Sequence, residues 1–229
     1  MKFKFILFIF FLGFYAIGQN NHTDALGKKQ GVWEKKYVSG KTRYTGTFKD
    51  DMPIGTFTYY FEREGGVMSE VTYRKYSGVG YAQTFQRSGV LEAEGIYNKQ
   101  VKDSTWTYYS RAGVLTQRET YTLGVLNGPQ ITYWENGITS NRTDFVNGVE
   151  EGLWIRKWDN GKLRTKGNYL EGMLEGECVY YDDNSKLLAK GAYHHGKKHG
   201  VWYYFEDNKV TLKEQYRYGT LESETKYDE

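Results

Sequence analysis

The chain has 229 residues, of which 39% are hydrophobic and 17% aromatic, with 22 Tyr, 27 Gly, 2 Pro and a formal net charge of +3. So many aromatics exclude a disordered chain, and Tyr, Trp and Gly without long Leu/Ala/Glu-rich runs exclude a helical bundle in favour of strands joined by glycine turns. The charge is too small for long-range pull on nucleic-acid phosphates, so no nucleic-acid partner is expected, and it falls to +1 if the segment carrying Lys2 and Lys4 is removed.

That segment comes first. Residues 1–18 read MKFKFILFIFFLGFYAIG: two lysines, an apolar run from Phe5 to Phe14, then small residues at Ala16-Ile17-Gly18. The pattern predicts a secretory signal peptide cleaved before Gln19, because the run falls short of the roughly 20 apolar residues of a membrane span. An uncleaved anchor is the alternative. The expected location is therefore outside the cytoplasm, in the periplasm, the cell envelope or the medium, with no membrane association indicated once the leader is gone. Residues 19–30, QNNHTDALGKKQ, read as a polar, flexible lead-in.

Residues 31–223 repeat. Units begin at Gly31, Gly55, Gly80, Ser104, Gly128, Gly152, Gly176 and Gly200, at intervals of 24 residues except for one of 25, where an insertion falls near Glu64–Gly65. Two residues after each start lies a slot holding Trp33, Phe57, Ala82, Trp106, Gln130, Trp154, Cys178 or Trp202. Three residues further on stand Tyr60, Phe85, Tyr109, Tyr133, Tyr181 and Phe205, displaced by one place to Tyr37 and Trp158 in units one and six. A glycine turn follows, as in DNGK, then a closing aromatic at Phe48, Tyr73, Tyr97, Tyr121, Phe145, Tyr169, Tyr193 or Tyr216, and a second turn, as in LEGMLEG. Each unit is predicted to be a β-hairpin, marginal alone but stable when stacked in register so that aromatic rows cover one another. The expected fold is all-β, an elongated single-layer antiparallel sheet of about eight tandem hairpins, roughly 16 strands at about 4.8 Å each. Residues 224–229 are expected to form an acidic tail.

The combination resembles the MORN-repeat family, most closely its bacterial variant with the pattern G-x-W-x-x-Y-x-x-N-G-K-L-x-x-x-G-x-Y-x-x-G-x-x-x-G. Unit six carries it as Gly152, Trp154, Trp158, Asn160-Gly161-Lys162-Leu163, Gly167, Tyr169 and Gly172. Departures are Val71 in unit two, Ser104 and Glu119 in unit four, and Asn208-Lys209 in unit eight. The resemblance implies a sheet of hairpins acting as a scaffold for protein contact, self-association or membrane apposition. Relatives are often labelled antitoxin components, which adds inhibition of a partner protein as a minor reading. The motif carries no catalytic residues, and no nucleophile elbow, zinc helix or P-loop stands in the chain, so no enzyme activity and no cofactor are expected.

Four smaller features bear on function. The lone Cys178 reads as a small buried residue. His194, His195 and His199 read as a solvated turn rather than a metal site, since adjacent residues of an extended backbone face opposite ways. Alternation puts Trp106 and Tyr108 on one face with Tyr109 opposite, and Trp202 and Tyr204 on one face with Tyr203 and Phe205 opposite. Surplus rings could stack a sugar, a quaternary amine or a peptide, so Trp106, Tyr108, Trp154, Trp158, Trp202 and Tyr204 are the candidate binding residues. The leading expectation is an exported, non-enzymatic scaffold with an unidentified protein partner or a second copy of itself. The alternative is an aromatic-lined module for cell-surface carbohydrate or choline.

Overall fold

The computed structural model describes residues 20–74 and 76–227, so the expected signal peptide and the last two residues of the expected acidic tail lie outside the described residues. A short β1 (His22–Thr23) precedes the array. Units one to four supply β2 (Lys29–Lys36) and β3 (Thr42–Lys49), β4 (Met52–Tyr60) and β5 (Val67–Tyr73), β6 (Val79–Phe85) and β7 (Leu91–Asn98), and β8 (Val101–Tyr109) and β9 (Leu115–Thr122). Unit five supplies an interrupted strand, β10 (Val125–Leu126) and β11 (Gly128–Tyr133), with β12 (Thr139–Val146). Units six to eight supply β13 (Val149–Lys157) and β14 (Leu163–Leu170), β15 (Met173–Tyr181) and β16 (Leu187–His194), and β17 (Lys197–Glu206) and β18 (Lys209–Arg217), after which comes β19 (Thr220–Lys226).

Successive strands pair antiparallel throughout, giving one open sheet of 19 strands in hairpin succession. The surplus over the expected strands comes from β1, β19 and the break at Asn127, where Pro129 follows with no N–H for the ladder. Part of the lead-in is thus not flexible. His22 and Thr23 pair with Gln30 and Lys29, and Asn21 caps the outer edge of β2 by accepting from the Glu34 N–H at 2.9 Å and donating to the Val32 carbonyl at 2.9 Å. Part of the expected tail is strand as well, since β19 runs to Lys226.

Two turn types alternate. Within a hairpin the loop closes as at Trp158, whose N–H donates to the Lys162 carbonyl at 2.9 Å while Gly161 donates back at 3.0 Å. Between units the turn has two residues with positive φ, such as Glu171 (51°) and Gly172 (78°), matching the right-handed twist of the strands. Unit eight lacks the hairpin glycine because its turn is of this second kind, at Asp207 (43°) and Asn208 (67°).

Units two, four, six, seven and eight start on a bulge, whereas β5 and β6 pair without one at the start of unit three. Between β14 and β15 the pairing passes from Lys166↔Val179 to Asn168↔Glu175, so Gly176, Glu177 and Cys178 lie opposite Gly167 alone. The bulge tips the slot residue over the preceding strand. That explains the glycine one hairpin earlier: a Cβ on Gly46, Gly95 or Gly191 would fall 2.4, 2.5 or 2.3 Å from the rings of Phe57, Trp106 or Trp202. The same contact accounts for the irregular units. Val71 stands where the glycine would be, and the next slot shrinks to Ala82; Glu119 stands there, and the next slot is Gln130. Thr143 stands there, and Trp154 stays half-buried, donating its indole N–H to Asn141 Oδ1 at 3.1 Å. The fully covered side chains, Phe57, Ala82, Trp106, Cys178 and Trp202 with Val71, Ala93, Thr143, Thr165 and Ala189, all occupy alternate positions on one face. The core is therefore a row along one side of the ribbon. Its rings meet edge-on, as Phe57 with Tyr73 at 5.5 Å and Trp202 with Tyr193 at 5.1 Å, contacts worth about 0.5–1.5 kcal/mol each beyond burial.

Candidate functional site

On the packed face, units four and eight build the same enclosure around a lysine. Lys198 Nζ lies 4.6, 5.2 and 4.8 Å from the ring centres of Trp202, Tyr204 and Tyr216. It donates to Tyr204 Oη at 2.6 Å and stands 3.8 Å from Glu214 Oε2, which also accepts from both phenols, at 2.5 and 2.9 Å. Four units earlier, Lys102 Nζ lies 5.0, 5.0 and 5.2 Å from Trp106, Tyr108 and Tyr121, and Glu119 accepts from Tyr108 and from Tyr121 at 2.6 Å. A cation ringed by π faces and closed by a carboxylate is the chemistry of ammonium recognition. Here the chain fills both sites with its own side chains.

The electrostatics follow from this closeness. Burial pushes Glu119 up, but the hydroxyls of Tyr108 and Tyr121, the Gln130 amide and the Lys102 charge outweigh it and hold the carboxyl below its ordinary value. Burial, then the bonds to the neighbouring carboxylates, raise the phenols of Tyr108 and Tyr204 far above the usual range.

Between the cages the row opens. Unit five carries Gln130 and Thr132 where unit eight has Trp202 and Tyr204, and a groove of about 470 Å³ lies over them, walled by Trp154 and Tyr169 of unit six. In the slots of Lys198, Tyr204 and Glu214, unit six has Glu150, Arg156 and Gly167. The side chains of Arg156, Lys157 and Arg164 border the groove, and none of them is in an ion pair among the described residues. Arg164 instead lies over the Trp158 ring at 4.3 Å.

The six candidate residues thus part company. Trp106 and Trp202 are 1% and 2% exposed and form cage floors. Tyr108 and Tyr204 are cage walls already engaged by lysine. Trp158 sits at the loop edge, its indole N–H donating to the Tyr181 carbonyl at 3.2 Å. Trp154 alone among them lines the open groove. The face assignment holds: Lys190 lies over Tyr203 at 5.8 Å and Phe205 at 5.7 Å on the opposite side. Composition and repeat phase did not single out Lys102, Lys198, Glu214, Glu150 or Arg156, and marked Glu119 only as a departure from the repeat. A signal existed for the first two, in the spacing Lys102-x-x-x-Trp106-x-Tyr108 repeated as Lys198-x-x-x-Trp202-x-Tyr204.

The histidines do not splay. His195 takes a positive φ of 48° in its turn, so its ring folds to 4.2 Å from that of His194, which lies 5.6 Å from His199 and whose Nδ1 is 2.9 Å from Glu175 Oε1. Among the described residues no group of three or more His, Cys, Asp or Glu is arranged to hold a metal ion. Cys178 is buried, as expected, at 1% exposure.

No curated protein matches the chain. A family model described as MORN repeat variant matches residues 150–171 and 174–195, which are the hairpins β13–β14 and β15–β16. Units six and seven are accordingly similar to MORN-variant repeats, and they sit in a sheet built of successive hairpins.

Proposed function

We propose that the protein is an exported, non-enzymatic scaffold whose ribbon of MORN-type hairpins presents a continuous surface to another protein. The observation that carries this reading is the succession of antiparallel hairpins from β2 to β18 in one sheet, the architecture repeat proteins use for extended binding surfaces. Inhibition of a partner protein is a narrower form of the same reading, and self-association a parallel one. The test is cross-linked pull-down from the native envelope with the full chain and with variants lacking two whole internal units. Retention of a partner that depends on particular units supports the scaffold. If nothing is retained, and deletion of any two units alters nothing in the cell, the reading fails. Static light scattering of the full chain distinguishes monomer from dimer.

A further inference from the structure

We propose that the groove over unit five binds an acidic saccharide, a pyranose bearing a carboxylate. The groove exists because Gln130 and Thr132 replace the rings that fill the same slots in units four and eight, and its volume of about 470 Å³ falls in the range of small-ligand sites. Its wall is the half-buried indole of Trp154, fixed edge-on against Tyr169 at 5.8 Å and tethered through its N–H to Asn141. A fixed, partly exposed indole is a platform for the C–H face of a sugar ring, and little side-chain entropy remains to be lost on binding.

Charge selects among sugars. Arg156 is exposed and in no ion pair among the described residues, and it stands beside the indole where unit eight has Tyr204. Its planar fork of donors matches a carboxylate bidentately. Lys157 and Arg164 add positive charge along the groove, which opposes a quaternary ammonium. Glu150, which lines the groove and like Arg156 acts through its charge on the Tyr169 phenol, accepts from hydroxyls. A polyanionic peptide satisfies the cations but offers Glu150 no hydroxyls. Carboxylate together with several hydroxyls satisfies both Arg156 and Glu150.

The test is calorimetric titration of the full chain with trigalacturonate, with maltotriose as the neutral control and hexaglutamate as the peptide control. Trigalacturonate is expected to bind with a millimolar or tighter Kd. Arg156→Gln is expected to weaken it by about tenfold, the low end for a lost charge-assisted pair, without moving Tm, because Arg156 is exposed. Trp154→Phe is expected to weaken both sugars, and Lys190→Gln on the opposite face to change neither. No heat with trigalacturonate at millimolar concentration, equal affinity for maltotriose, equal affinity for hexaglutamate, or indifference to Arg156→Gln would each overturn the proposal. The scaffold reading would survive any of these outcomes, because its pull-down does not depend on the groove.

Discussion

Units six and eight place an indole in the same slot of a bulged antiparallel ladder and differ at three of the positions around it. In unit eight, Lys198, Tyr204 and Glu214 close over Trp202 and leave it 2% exposed; in unit six the same places hold Glu150, Arg156 and Gly167, and Trp154 lines an open groove. The lesson is that hairpin geometry supplies the slot while the three positions around it decide whether the slot is filled core or usable surface. Unit four repeats the closed form with Lys102, Tyr108 and Glu119, so the closed form is a recurring arrangement rather than a local accident.

The sharpest way to break this comparison is truncation of the two indoles. Trp202→Ala removes a covered ring that donates to the Ala192 carbonyl at 3.0 Å, and is expected to cost about 3–5 kcal/mol in urea unfolding. Trp154→Ala should cost less than half of that, since much of the ring already faces the groove; equal costs would mean that the groove is not open in solution. The pairing of each slot with the preceding glycine position comes next. Ala82→Trp alone should destabilise by about 1–3 kcal/mol through overpacking against Val71. Adding Val71→Gly should recover much of the loss, seen as a coupling of at least about 1 kcal/mol in a double-mutant cycle.

Titration probes the closed cages. Burial, with neighbouring phenols, pushes Tyr59 up to about 12, and burial with the adjacent carboxylates raises Tyr108 and Tyr204 further. The unfolded chain releases tyrosine protons from about pH 10. The folded chain keeps them, so stability should be flat below that pH and fall as pH rises from 10 through 12. Glu119 behaves oppositely. Its depressed folded value means that its contribution is present above the unfolded value and is lost as pH falls from about 4.5 through the folded value. Glu119→Gln should therefore narrow the difference between urea midpoints at pH 7 and pH 3. An unchanged difference would remove Glu119 from the account.

The smallest effect is a gain. Lys198→Ala should empty the unit-eight cage and let tetramethylammonium bind weakly, detectable as quenching of tryptophan fluorescence that the unaltered chain does not show. Absence of quenching in the variant would mean that the rings collapse without their lysine.

The period, the hairpins and the antiparallel succession were legible because each rests on local rules: a turn residue that tolerates positive φ, alternation along a strand, and equal strand lengths. The side assignment of Trp202 and Tyr204 against Tyr203 and Phe205 follows from that alternation alone. The fate of individual rings was not legible. Trp106 and Trp154 occupy the same slot in the repeat, and the neighbours brought in by pairing, Gly95 and Glu119 around the first and Thr143 and Gly167 around the second, separate a covered ring from an open one. The histidines show the same limit, because His194 and His195 diverge only if the backbone stays extended, and the turn at His195 brings their rings together.

By itself, then, the sequence determined the repeat, its period and the two-faced ribbon, because these depend on residues close along the chain. Which slots closed around lysine and which stayed open was decided only when paired strands met, within a hairpin as well as between units. The contacts that matter there join residues some ten or more positions apart, as Gly191 with Trp202 and Tyr204 with Glu214, and their fit depends on size and charge across the pairing rather than on any one position.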